Sequence, residues 1–497
     1  MTRGNVLSIA RRGGAMSVAV AAASFTLAGC ASFSKDGGMT LVADQTGSVL
    51  GTPAQKIENE ADAAAAKARV RTLLSSTLTA NAAVQIALLN NRTLQAAYND
   101  LGVSEAEMVQ ASLPPAPTLS LAHLTGAELE IERQLAQNLL ALLSLPRRRE
   151  IAEDRFRTAQ ARAVEATLSI ATEARRAFYR AVAAKETVTF LEQSRTSADA
   201  ASELAKKLGE TGAMPKLDQA REHAFYAEIS GQLAAARLRE RSEREKLNRV
   251  LGLWGSELKY RLPNWLPKLP SKPRASDTIE TEAVSRRVDL QIARMDLMVL
   301  AKEYGLTRAT RYIDMLEVSA LSRDTHSRVT NTDYTLAPGP TLVKSETPEI
   351  EKTPRNGYEI SFQIPIYDFG EAKTRLAEQS YLRAVNLLID KAVNVRADAR
   401  DAYQSYRGAY DIARYYDKEI IPLRETISEQ TLLNYNGMLS DLFALLADAR
   451  DRISANMQAI DAKRDFWLAD VDLHAAMTGG GAGTLTPSPQ AAQAPSN

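Results

Sequence analysis

Apolar residues recur at helical spacing along most of this chain, in runs far longer than a compact domain uses. The pattern predicts a helix over about 78–112, a very long helix over about 147–207 and a returning helix over about 216–251. The same plan then repeats over about 276–310, 369–432 and 440–477. Tight turns around Gly209–Met214 and Asn436–Leu439 join each long pair. At 1.5 Å per residue, a helix of about sixty residues spans roughly 90 Å. Such helices project from any core, and an isolated hairpin of them needs neighbours, from the other half or from other copies.

The repetition is visible in the residues themselves. Residues 174–178 (ARRAF) match 399–403 (ARDAY) at a shift of 225, which also places Leu208 on Leu433, Gly212 on Gly437 and Leu217 on Leu442. Upstream, Leu94-Gln95 falls on Leu290-Gln291 at a shift of 196. The difference, about 29 residues, predicts an insertion in the second half. The polar stretch 323–356, with Pro338, Pro340, Pro348 and Pro354, is read as that loop insertion. The domain reading is then a first repeat at 57–251, a proline-bearing linker at 252–275, a second repeat at 276–477 and a disordered Gly/Ala/Pro/Ser-rich tail at 478–497.

Short segments of a different period separate the helices. Thr118–Leu121 and Glu128–Glu132 have strand character, and residues 312–321 supply a third, weakly alternating candidate. The fourth is the clearest: Tyr358, Ile360, Phe362, Ile364 and Ile366 share one face, with Glu359, Ser361 and Gln363 on the other. A strand of this kind is either half-buried in a soluble sheet or part of a membrane barrel, which needs about nine to eleven tilted residues per crossing. Four strands close no barrel alone, so the barrel reading carries an oligomer with it.

The N-terminus bears on that choice. Arg3, Arg11 and Arg12 precede an apolar run over 15–27, which ends in Leu27-Ala28-Gly29-Cys30. This is the layout of a secretory signal over 1–29, too short for a spanning helix. Its ending resembles a lipobox, which implies that Cys30 is acylated and begins the mature chain. Residues 30–56 then form a loose lipid-linked tether. Cys30 is the sole cysteine, so no disulfide competes for it. An exported, lipid-anchored chain with projecting helices favours the barrel. Charge is balanced, 61 Lys+Arg against 60 Asp+Glu, so nothing points to nucleic acid. His123, His223, His326 and His474 stand without metal-ligand spacing, and no phosphate loop or nucleophile–base pair supports an enzyme.

These residues together point to a family. Ala87–Asn91 with Leu94-Gln95, then Ile364–Gly370 (IPIYDFG), then Tyr435–Leu439 (YNGML) with Leu445-Leu446, make a sequence that resembles the TolC-like outer-membrane efflux proteins over about 57–478. The resemblance implies a mainly α fold with a β-barrel portion. Duplicated long-helix coiled-coil hairpins would form a periplasmic tunnel, and four barrel strands per chain would close as a homotrimer. It implies an outer-membrane channel subunit of a tripartite efflux or export system. Such a passive conduit works with a periplasmic adaptor protein and, through it, an inner-membrane pump, and it needs no cofactor beyond the lipid on Cys30. The absence of Asp at Ala31 favours the outer membrane by the same resemblance. Gating would lie at the helical tip, where Gly212, Asp218, Tyr435, Gly437, Asp441 and Asp448 are the candidates. For Asp218, Asp441 and Asp448, solvated charge near a helix N-terminus is the competing reading. The alternative function is a lipid-anchored coiled-coil scaffold or adaptor without a pore. The substrate stays open among drugs, metal ions and peptides.

Overall fold

The computed structural model describes residues 32–126, 128–275, 278–336 and 342–480. Cys30, the signal segment and most of the tail lie outside the described residues. Contacts divide the chain into two compact units, one with Ser104–Arg157 and Met295–Val385, the other with Lys35–Val103, Thr158–Arg294 and the chain from Asn386 on. Each unit draws on both repeats.

The first unit holds an antiparallel sheet in the order β1-β2-β3-β4: β1 Thr118–Thr125, β2 Leu129–Asn138, β3 Met315–Leu336 and β4 Leu342–Gln363. Its register aligns Thr118 with Ala136, Asn138 with Glu317 and Met315 with Gln363. The strand ends that lead into helices therefore lie together at one end of the sheet, and the hairpin turns lie at the other. The segment 323–356, expected as a loop, is instead mostly strand. β3 and β4 pair for ten residues beyond the end of β2, from Ser327↔Glu351 to Leu336↔Leu342. Pro348 and Pro354 lie inside β4. The misreading has a physical cause: proline argues against a central strand but is admitted to an edge, and β4 is an edge of this sheet. The alternating run is shorter than expected too, since β4 ends at Gln363, before Ile364 and Ile366.

The helices follow the two-fold plan. In the first repeat, α3 (Ala80–Asn90) and α4 (Arg92–Ser112) replace one predicted helix, α5 (Leu139–Glu210) runs 72 residues, and α6 (Lys216–Leu251) returns. In the second, α7 (Ile279–Arg286) and α8 (Val288–Ala309) again break one predicted helix, at Arg287, which is Asn91 under the 196 shift. The second long helix is itself divided: α9 (Glu371–Tyr415), a π turn (Tyr416–Ile420) and α10 (Ile421–Asn436), before α11 (Leu442–Thr478) returns. Pro422 explains the division, since it lacks the N–H that would continue the ladder there.

Each helix break receives the end of a returning helix, by different contacts. Asn90 Nδ2 donates to the carbonyls of Leu251 (3.3 Å) and Gly252 (2.7 Å), and Asn91 Nδ2 donates to Val250 (2.9 Å). These are the carbonyls that the end of α6 leaves without helical partners. Gly252 (φ +67°) then turns away so close that a Cβ would sit 2.7 Å from the Asn90 carbonyl. At the second break, a Cβ on Gly479, just past α11, would sit 2.9 Å from the Val288 N. There Arg287 binds Asp289 (2.9 Å) and Asp398 (3.0 Å). Burial alone would raise the Asp289 carboxyl, but the Arg287 bonds outweigh it and hold the group below the usual range.

Two apolar cores fill this unit. One joins α7–α9 to α11 through Leu290, Tyr406, Tyr410 and Phe466, and the other joins α5, α6 and α11 through Leu191, Phe225, Ile229 and Leu446. Two helices escaped the sequence reading: α1 (Met39–Leu50) and α2 (Glu60–Ser75). The segment expected as a loose tether is thus ordered. α1 buries Met39, Val42 and Thr46, and Gln160 Nε2 donates to the Gly38 carbonyl at 3.1 Å. It went unread because the face it buries is short and includes a threonine, so it does not stand out from its polar surroundings.

Candidate functional site

Two places carry the functional geometry, one in each unit. In the sheet, alternation sorts the side chains onto two faces. One face carries Leu119, Leu135, Val318, Tyr358, Ile360 and Phe362. Most are open: Tyr358 is 79% exposed and Phe362 61%. The other face carries Glu132, Gln134, Glu317, Ser319, Arg323, Glu359 and Ser361, tied by Arg323–Glu132 (2.9 Å) and Gln134 Nε2 to Ser319 Oγ (2.9 Å). An uncovered apolar face over a self-bonded polar face suits a wall with lipid on one side and water on the other. Among the described residues no helix is long and apolar enough to cross a membrane.

The second place is where the two long hairpins turn. After α5, Gly212 takes φ +78°. Asp218 sits in the first turn of α6 and pairs with Arg221 at 3.1 Å. Arg221 in turn stands 5.8 Å from the centre of the Phe443 ring, which belongs to the other hairpin. Arg450 of α11 repeats the device, bonding Glu228 at 3.1 Å over the Phe225 ring. Asp441 caps α11, accepting from the Ala444 N–H at 2.9 Å. Asp448 is buried, accepts from Ser428 Oγ at 2.7 Å, and leaves its Oδ1 without a partner among the described residues. Glu222 is likewise buried, with Oε2 unpartnered among the described residues, and desolvation pushes its carboxyl up.

α10 is held differently from the rest. None of its residues is buried. Its polar links to α11 include Ser428–Asp448 and Arg424–Asp451 (3.1 Å). A π turn at its base and the lack of a buried residue set it apart from α9 and α11.

The sequence matches no family model, and no curated protein matches it. Solved structures do. The Campylobacter jejuni CmeC outer membrane channel aligns at 17% identity over 81% of this chain and 86% of its own, with a TM-score of 0.62. The outer membrane protein VceC of Vibrio cholerae aligns at 14% identity over 80% and 96%, with a TM-score of 0.63. The open state of the Neisseria gonorrhoeae MtrE outer membrane channel aligns at 15% identity over 80% and 88%, with a TM-score of 0.60. The chain has the fold of these outer-membrane channels. At this identity the likeness is one of fold, and it agrees with the mainly α, part-barrel architecture that the resemblance to the TolC-like proteins implies.

Within this channel fold, the sequence candidates fall into place unevenly. Gly212, Asp218, Tyr435, Gly437, Asp441 and Asp448 all lie at or near the two turns. Tyr435 packs against the core that joins the hairpins. At Gly437 φ is an ordinary −80°, and the left-handed position of this turn falls to Met438 (φ +58°). Asp441 fits the competing reading of a helix-end charge, while buried Asp448 does not. Arg221, Glu222, Arg424 and Arg450 were missed. A charged residue on a long helix gives no cue in sequence to its burial, as at Glu222, or to a partner on another helix, as at Arg424 and Arg450.

Proposed function

We propose that this chain is a subunit of an outer-membrane efflux or export channel, a passive conduit gated at the turns of its helical hairpins. What chiefly supports this reading is the two-faced sheet, apolar and open on one side and polar on the other, within a fold shared with outer-membrane channels. The sheet ends in two unpaired edges, β1 and β4. Closed strands are the only sheet a membrane accepts, so copies must supply the closure, and three copies would give twelve strands. The long helices call for neighbours too, since Leu387, Ile389 and Val393 on α9 are each more than half exposed. A homotrimer meets both needs. A periplasmic adaptor and an inner-membrane pump would engage the helical end, and acyl chains on Cys30 would add an anchor to the outer membrane. The chemistry is conduction rather than catalysis. Purified oligomer in a planar bilayer is expected to give discrete conductance steps. Oligomer that inserts yet never conducts would refute the channel and leave the scaffold reading.

A further inference from the structure

The apolar face of the sheet has a definite upper limit. Its rows run Leu316–Phe362, Gln137–Val318–Ile360 and Leu119–Leu135–Ala320–Tyr358, with the buried Gln137 amide donating to the Pro115 carbonyl at 3.0 Å. The next row, toward the hairpin end, is Leu121–Arg133–Ser322–Asn356, and beyond it come Asp324, then Lys352, then Arg328 opposite Ile350. From Phe362 the strand runs eleven residues to Lys352, about the length of one tilted crossing. Lys352 therefore stands at the depth where the hydrocarbon band gives way to headgroups, with Arg133 below it and Arg328 beyond.

These charges are not balanced. Arg133 (3.3 Å) and Lys352 (3.2 Å) share the one carboxylate of Asp324, which is itself 7% exposed. Arg133 and Lys352 remain 51% and 56% exposed. Arg328, further along the same face, is exposed. One carboxylate thus fixes two cations side by side, and three cations face outward against it. The stem of Arg133 lies among Leu121, Ile131 and Leu135, which lets its guanidinium reach up from the apolar band. The opposite face at this level carries Arg323, Arg355 and Glu132, with Arg323 paired to Glu132.

We propose that Arg133, Lys352 and Arg328 form a docking surface for the phosphate groups of membrane lipid in the leaflet at the hairpin end. The occupant is a phosphate-bearing anionic lipid, because its chains would continue along the apolar rows while its phosphate meets the cations. Arg offers two parallel donors to a phosphate and Lys a point charge. Asp324 acts as the positioning residue that spaces the two cations and tempers their charge. The inference rests on the membrane reading of the sheet.

The test uses full-length oligomer and vesicles of phosphatidylcholine with or without phosphatidic acid, reading retained lipid by mass spectrometry. Wild type is expected to enrich phosphatidic acid over phosphatidylcholine. Arg133→Gln/Arg328→Gln/Lys352→Gln is expected to lose that enrichment by about tenfold or more, the ratio that 1.4 kcal/mol represents. Arg323→Gln, on the other face, should keep it. Asp324→Asn should raise it, by releasing both cations; a loss of folding could not mimic a gain. Equal retention of the two lipids by wild type, or enrichment that survives the triple substitution, would overturn the proposal. Conductance of wild type in pure phosphatidylcholine separates the two ideas: a conducting channel with no lipid preference defeats only this one, and a protein that never enters the bilayer defeats both.

Discussion

Replacing Arg424 and Ser428 by Ala should loosen α10 selectively. The Arg424–Asp451 pair is 3.1 Å long and largely exposed, 33% and 60% for its two side chains. Exposed pairs of this kind contribute about 0.2–1 kcal/mol. The Ser428 hydroxyl donates to Asp448 at 2.7 Å in a partly buried place, and Asp448 has an oxygen already unpartnered among the described residues. A hydrogen bond to a charged group contributes about 1.5–3 kcal/mol. The two links together hold α10 by about 2–3 kcal/mol, the lower part of the summed range because the second cut falls on an already loosened helix. That corresponds to a rise of roughly 30-fold to 160-fold in transient opening. Amide hydrogen exchange reads it directly, with Ile421–Asn436 compared against Glu371–Tyr415 in the same molecule. Faster exchange confined to α10, together with more frequent conductance openings, is the expected result. Unchanged exchange in α10, or equal acceleration on both sides of the π turn, would refute the idea that these links latch a hinged arm.

Other perturbations probe the packing beneath this arm. Burial raises the Glu222 carboxyl above its unfolded value of 4.5, so within that window the folded state holds a proton the unfolded state has lost. Stability then falls as pH rises through the window, and Glu222→Gln should raise the melting temperature near about pH 8 with no gain near about pH 4; an equal gain at both would exclude the carboxyl as the cause. Gly252→Ala forces a side chain into φ +67° and against the Asn90 carbonyl, and should cost at least about 1–2 kcal/mol in denaturant unfolding. Gly231→Ala meets open space within α6 and should instead stabilise by about 0.5–1 kcal/mol. A similar effect of both substitutions would remove the conformational explanation.

Much of the architecture was legible because it is periodic. The return helix at 216–251 could be bounded from its spacing, since Met214-Pro215 before it and Gly252 after it punctuate the chain. The face bearing Tyr358, Ile360 and Phe362 was legible because alternation needs no partner to be seen. What could not be read was pairing. Residues 327–336 and 342–351 are polar on both faces, so only their mutual ladder identifies them as strands. Likewise Asp448 and Asp441 look alike in sequence, seven residues apart, and only the tertiary fold buries one and leaves the other as a cap. The Asn90-Asn91 pair acquires its physical meaning only when the end of α6, far along the chain, arrives to be capped.

The close fit at the end of α11 has a bearing on how the chain folds. A Cβ on Gly480 would stand 2.8 Å from the carbonyl of Leu168, more than three hundred residues earlier. Nearby, Trp467 stacks on Tyr179 at 5.2 Å, and Asp472 binds Arg176 at 2.6 Å. The middle of α5 is thus completed by residues of the second repeat. Contacts of such sequence separation form slowly, because the loop between them must close first. The first repeat must wait with an apolar surface uncovered until the second is made, so the nascent chain is open to aggregation and to misplaced pairing between its two similar halves. Losing the final turn of α11 would leave the middle of α5 without part of its cover.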